Sequence, residues 1–320
     1  MTGQIVEVWL ISTDPPDPVL AELETLLDDD ERERADALQL ARHRRRFVAA
    51  HGAVRVIIGR HLGTPPAQLR WQYGPHGKPE LADPPAGLHV SISRSGALAA
   101  LALCSRRRVG VDIQEVPAEL DVTRMSARFY PPDEARFVAA AIGHDGQLSR
   151  FTRLWTRKEA CLKVAGGRLI PGLKLPVRGP DQADPDQADP DRSGTDWGGT
   201  DRGGTDGTDR RGSVGSGTDR SGTDQSGTDQ IVVSDPGGPL PGPYLVQDVP
   251  VPPGFYAAVA VDGSEPCRVH RRCWPADEPS TLSLRNLPSP ASTAHQPPTA
   301  HTGDPARRPH AAGPTSQPSP

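Results

Sequence analysis

Residues 179–229 set the first constraint on the fold. Residues 181–191 repeat a DPDQA-like unit, and residues 194–229 hold seven Gly-Thr-Asp triplets with almost nothing apolar between them. Such a stretch buries too little apolar surface to offset the entropy of ordering it, so the composition predicts a disordered insertion. A calcium-binding β-roll needs a regular nonapeptide with an apolar position, and neither is present. Apolar strand patterns resume at residues 230–233, 244–249 and 254–261, the last with the character of a central core strand. Chain on both sides of the insertion is therefore expected to build one domain.

The N-terminal part reads as mixed α and β. Residues 4–12 (QIVEVWLIS) predict an opening strand, DPPDP a turn, and residues 19–27 a short helix. Residues 28–34 (DDDERER) form a mixed charge run. Residues 35–62 carry the longest helical pattern, with Arg44, Arg45 and Arg46 in its first part. These arginines suit a solvated basic turn, a weak nucleic-acid patch or a polyphosphate ligand. No aromatic residue interleaves them, so a base-stacking surface is disfavoured. Lys78 sits in a GPHGKP turn, where one amine could be aimed into a cleft. Residues 88–95 and 97–104 predict a buried hairpin, and residues 109–113 (VGVDI) a further strand. Asp112 and Gln114 would share one side of that strand. An Asp in an apolar strand needs a partner: an ion pair, a backbone donor or a metal.

Other function classes are constrained by composition. A net charge of −4 gives no overall drive toward nucleic acid or anionic membranes. No apolar run approaches the roughly 20 residues that span a bilayer. The opening MTGQIVEVWLIST lacks a basic leader pattern, and four scattered cysteines suit a reducing cytosol, so a cytoplasmic protein without a disulfide framework is expected. Cys267, His270 and Cys273 offer three possible zinc ligands without a second pair, beside a Pro-, His- and Ser-rich stretch expected to be a disordered tail from residue 267.

Residues 122–129 and about 131–142 predict two short helices, and residues 143–147 a loop. The stretch FTRLWTRKEACLKV, residues 151–164, predicts a helix that ends at Gly166 and Gly167. On it Trp155, Glu159 and Lys163 recur at i, i+4, i+8, which puts an aromatic, a carboxylate and an amine on one face. Alone, the pair Glu159–Lys163 could be a surface ion pair worth a few tenths of a kcal/mol. With Asp112 and Gln114 it could instead hold a hard cation. Arg44–Arg46, Lys78, Arg94, Lys158 and Lys163 add the positive charge that a pyrophosphate needs. No GxxxxGK[ST] or strand-borne GxGxxG is present, so the usual nucleotide-binding folds are not indicated.

Taken in order, these motifs resemble the 4′-phosphopantetheinyl transferases, in the two-lobed Sfp-like class. Gly77-Lys78-Pro79 is similar to the family's GKP turn. Residues 91–96 (SISRSG) resemble its N-x-S-H-S-G strand, and residues 110–114 (GVDIQ) its G-[IV]-D-[IV]-E motif. Phe129 to Glu134 stands where F-x-x-x-E belongs, and residues 155–163 (WTRKEACLK) match W-[ST]-x-K-E-A-x-x-K at every fixed position. The resemblance covers roughly residues 5–178 and 230–262. It implies an α+β fold of two similar lobes related by a pseudo-two-fold. The N-terminal lobe would span 1–108, and the C-terminal lobe 109–178 with 230–266.

The resemblance also implies a function. The enzyme would transfer 4′-phosphopantetheine from coenzyme A to a serine of an acyl or peptidyl carrier protein, with Mg²⁺ bound and 3′,5′-ADP released, acting as a monomer. Asp112, Gln114 and Glu159 would surround the metal. Lys163 would contact the transferred phosphate, and Glu159 would be the candidate base. Lys78, Ser93, Arg94 and Lys158, with Arg44, Arg45 and Arg46, would contact coenzyme A. Two positions depart from the pattern: Arg94 stands where the family has His, and Gln114 where it often has Glu. Arg94 remains cationic, whereas Gln114 removes one negative charge from the metal set. The alternative is a catalytically weakened relative that binds coenzyme A or a carrier protein; an unrelated Mg²⁺-dependent phosphohydrolase fits the charges but not the ordered motifs.

Overall fold

The computed structural model describes residues 4–82, 84, 87–166, 172–179 and 230–274. The insertion at 180–229 and the chain beyond 274 lie outside the described residues, as do residues 1–3, 83, 85, 86 and 167–171. Ten strands and six α-helices are seen among the described residues. In chain order they are β1 (Gln4–Ser12), α1 (Asp17–Thr25), α2 (Asp29–Asp36), α3 (Ala41–Leu62), β2 (Trp71–Tyr73), β3 (Pro79–Leu81), β4 (His89–Ser95), β5 (Leu98–Cys104), β6 (Val109–Glu115), α4 (Val122–Phe129), α5 (Pro132–Ala139), α6 (Gly143–Ala165), β7 (Ile231–Val233), β8 (Tyr244–Asp248), β9 (Phe255–Asp262) and β10 (Cys267–Trp274).

The strands form two four-stranded sheets, ordered β10-β1-β5-β4 and β6-β9-β8-β7, and a separate β2-β3 pair. Alternation decides what each face touches. Val6, Val8 and Leu10 of β1 pack against Val109, Val111 and Ile113 of β6 and Val259 and Val261 of β9, so the sheets share one core. The other face of the first sheet packs on α3 through Leu101, Leu103, Val54 and Ile58. On the far face of the second sheet, Ala258 and Ala260 meet α6 at Ala160 and Val164. Even-numbered residues of β6 therefore face α6, and odd-numbered ones face the first sheet. The mixed α+β class expected from the sequence is what the fold has. Among the described residues no helix is long and apolar enough to cross a membrane.

Three expectations change. The charge run at 28–34 is largely helix α2, begun by a capping box in which Asp28 and Glu31 each accept the other's backbone N–H. Glu31 alone of the run is buried, against Arg55 of α3, whose Nε donates to it at 2.6 Å, while residues 29, 30 and 32–34 stay exposed. Residues 143–147 are not a loop but the first turns of α6. The largest difference is at 267–274, expected as tail. There β10 runs parallel to β1, pairing Gln4 with Cys267 through to Ile11 with Trp274. Trp274 is buried in the α3-side core and Val269 in the core between the sheets. Cys267 and Cys273 share one strand face and His270 lies on the other, so they cannot converge on one metal. Among the described residues no cluster of three or more His, Cys, Asp or Glu could hold a metal ion. The described cysteines are free thiols.

Candidate active site

The two sheets meet edge to edge at β4 and β6 without a backbone ladder. Side chains satisfy the outer edge of β6 instead. Ser91 Oγ accepts from Val111 N at 3.0 Å, and Ser95 Oγ accepts from Glu115 N at 2.9 Å. Lys78 Nζ donates to the Val109 carbonyl at 3.1 Å, and Lys163 Nζ to that of Val111 at 2.9 Å. An unpaired buried edge would leave polar groups bare. Here hydroxyls and amines fill that role and leave a cleft where a further strand would otherwise lie. The cleft has a volume of about 320 Å³ and is lined by Lys78, Ser91, Ile92, Glu159, Leu162 and Lys163, among others.

Local sequence explains the placement of each group. Gly77, at φ 80°, permits the turn that Gly74 N closes on the Lys78 carbonyl at 2.9 Å. The turn hands Lys78 to β3 with its amine in the cleft. Burial lowers its pKa to about 8, helped by the Arg108 and Lys163 charges and opposed by Glu80. On β6, Gly110 lets α6 approach closely, and Asp112 two residues on faces that helix. Asp112 is 5% exposed. Its Oδ1 accepts from Ser93 Oγ at 2.7 Å and from Lys163 Nζ at 2.8 Å. Its Oδ2 is buried with no hydrogen-bond partner among the described residues. Glu159, one turn before Lys163, has its pKa raised to about 7 by burial and by the Asp112 charge, against the pull of Lys163. Gln114 follows on the same strand face, half-buried, its amide donating to the Glu115 carbonyl at 3.3 Å. Glu115 is on the opposite face, its carboxylate close over Gly96.

The sequence-predicted residues divide into three groups. Lys78, Glu159 and Lys163 line the cleft, with Asp112 and Ser93 buried and bonded behind Lys163 and Gln114 two residues further along the Asp112 face of β6. Arg94 stacks its guanidinium on Phe47 at 4.9 Å. Arg44 is ion-paired with Glu24 and Asp36, and Arg45 with Asp14 and Asp17, while Arg46 lies half-buried on the next position of α3. Lys158 is a correction. It is 0% exposed, ion-paired with Glu134 of α5 at 2.5 Å, and it donates to the Leu175 carbonyl and lies over the Tyr130 ring. Its charge is spent inside the core, so it does not serve a phosphate in the cleft. Glu134 in turn accepts from Arg178 N at 2.9 Å and from Val177 N, which pins the chain after α6. Sequence reasoning missed Ser91 and Ser95 as bridging groups; the i, i+2, i+4 spacing of the three serines was the available signal.

Residues 108–194, which include β6 and α6, match the sequence profile of the 4'-phosphopantetheinyl transferase superfamily. The 4'-phosphopantetheinyl transferase HetI of Nostoc sp. is 36% identical over 163 residues, half of this chain and 68% of that protein. The chain belongs to the 4′-phosphopantetheinyl transferase family. A relative from Synechocystis sp. is 31% identical over 168 residues, covering 52% of this chain and 67% of its own. The 4'-phosphopantetheinyl transferase of Bacillus subtilis is 32% identical over 143 residues, 42% of this chain and 59% of that one. As a 4′-phosphopantetheinyl transferase the chain is an enzyme, and the matched segment carries both Glu159 and Lys163, which line the cleft, and Asp112, which is bonded to Lys163 behind it.

Proposed function

We propose that this transferase moves 4′-phosphopantetheine from coenzyme A to a serine hydroxyl of an acyl or peptidyl carrier protein, with Mg²⁺ bound and 3′,5′-ADP as the second product. The observation that carries the reading is Asp112 Oδ2, a buried carboxylate oxygen with no hydrogen-bond partner among the described residues. A bare anionic oxygen in the interior is unfavourable, and a hard cation relieves it. Asp112 and Glu159 supply two oxygens of the right type, and Gln114 can add a neutral one. When bound, the metal offsets negative charge on the pyrophosphate.

The chain's own residues supply the rest. Lys163 Nζ has three donors, of which two are engaged by Asp112 and Val111, and it faces the cleft beside Glu159. It can neutralise the transferred phosphate. Lys78, on the opposite rim, can hold a coenzyme A phosphate, and Arg94 and Arg46 extend positive charge along the first sheet and α3. Glu159, or a water that it orients, takes the proton from the attacking serine. The work is positioning and charge neutralisation. We read the two sheet-and-helix units as the two lobes of the family's pseudo-two-fold fold, in a monomeric, cytoplasmic enzyme.

The test is incubation with coenzyme A, Mg²⁺ and several apo carrier proteins, followed by intact mass of the carrier. A gain of one phosphopantetheine is expected. No gain on any carrier overturns the reading, and release of free phosphopantetheine without a carrier points to hydrolysis instead.

A further inference from the structure

Ser91, Ser93 and Ser95 lie on one face of β4 and all reach β6, yet they do different things. The outer two accept from backbone N–H groups. Ser93, 9% exposed, donates to the side chain of Asp112. A hydroxyl has one proton, so Ser93 cannot donate to a phosphate while it holds Asp112. Lys163 shares the same Oδ1, but its amine faces the cleft and can turn toward a ligand phosphate. Ser93 is then the donor that stays. A carboxylate on a strand rotates about its terminal torsion almost freely unless something holds it. A donor fixed to one oxygen sets where the other oxygen points.

We propose that Ser93 is a positioning residue for the divalent cation: its hydrogen bond to Asp112 Oδ1 fixes the carboxylate so that Oδ2 is presented to the metal. This rests on the reading of Asp112 as a metal ligand. Partners that orient metal ligands typically change metal affinity by roughly 10- to 100-fold when removed.

The experiment is Mn²⁺ binding by the full chain in the presence of coenzyme A, read from the electron paramagnetic resonance signal of free Mn²⁺, with thermal melting in parallel. Ser93→Ala is expected to weaken Mn²⁺ binding by about tenfold or more, and Ser93→Thr, which keeps the hydroxyl, to stay within a few-fold of wild type. Ser95→Ala loosens the join between the sheets without touching Asp112 and is expected to leave Mn²⁺ affinity unchanged. Equal affinity in Ser93→Ala and wild type overturns the proposal. So does a Ser95→Ala loss as large as that of Ser93→Ala, because the effect would then run through sheet packing. If Ser93→Ala does not fold, Ser93→Cys carries the comparison, with weaker binding expected and unchanged binding overturning it. A wild-type chain that binds no Mn²⁺ overturns the metal reading itself, and the proposal with it, and that failure is seen before any variant is made.

Discussion

Gly110 of β6 lies so close to Ala160 of α6 that a Cβ built on it would stand 2.0 Å from the Ala160 carbonyl oxygen and 2.9 Å from Val164 N. Both obstacles are helix backbone, which cannot swing aside as a side chain would. The glycine therefore sets the spacing between the strand that carries Asp112 and the helix that carries Glu159 and Lys163. Gly110→Ala is expected to push α6 off the sheet, at about 1–3 kcal/mol of stability or more, and to abolish transfer. Melting temperature and carrier mass gain check the two effects separately. Wild-type activity in this variant would mean that the spacing does not matter to the site.

Gln114→Glu restores a second strand carboxylate. The added negative charge should strengthen cation binding, so half-saturating Mg²⁺ is expected to fall several-fold. A Mg²⁺ titration of transfer rate measures this. An unchanged or higher requirement would place Gln114 outside the metal set.

Lys78 gives a pH dependence with a definite sign. Its pKa is lowered to about 8, so the amine is charged below that pH and loses its charge above it. Affinity for coenzyme A is expected to weaken as pH rises from 7 through 9. In Lys78→Gln the affinity should be weaker at pH 7 and flatter across the same range. Calorimetric titration at several pH values checks this, and a wild-type profile unchanged in Lys78→Gln would remove Lys78 from the ligand contacts.

Arg55 is 0% exposed and donates to Glu31, to the Pro66 and Leu69 carbonyls and to Asp28. Glu31→Gln leaves that charge half-compensated in the interior. A loss of about 3 kcal/mol in denaturant unfolding is expected, since breaking a buried pair leaves the remaining charge uncompensated. The affinity for coenzyme A in the folded protein should change little.

How much of this was legible depends on the range of the interaction. The strand GVDI and the face of Glu159 and Lys163 follow from periods of 2 and 3.6, which are local, and they were readable. That Asp112 of β6 lies against Lys163 of α6 is a long-range contact that no local period implies; the family resemblance alone pointed to it. Lys158 was misplaced because its partner, Glu134, lies on another helix, and nothing local distinguishes an amine bound for the core from one bound for a cleft. Helix α2 hid behind its charges for the same reason: Glu31 is buried only because Arg55 and His51 meet it from α3. The early start of α6 was masked by Gly143 and Gly146, poor helix formers that tertiary packing overrides. Strand β10 carries Arg268, Arg271 and Arg272 on a sheet edge, where charge is common. Its charged pattern, beside a Pro-rich stretch, therefore read as tail.

Because β10 completes the first sheet from the far end of the described chain, neither half can be built first and kept. On a ribosome, β1 emerges early, but its parallel neighbour appears only after the second sheet and the whole 180–229 stretch have been made. Cutting the chain within that stretch would leave one fragment with three strands of the first sheet and only β6 of the second, and another with the remaining strands of both. Each piece would expose edges that only the other can cover, so the two would be expected to act as complementing fragments rather than as separable domains.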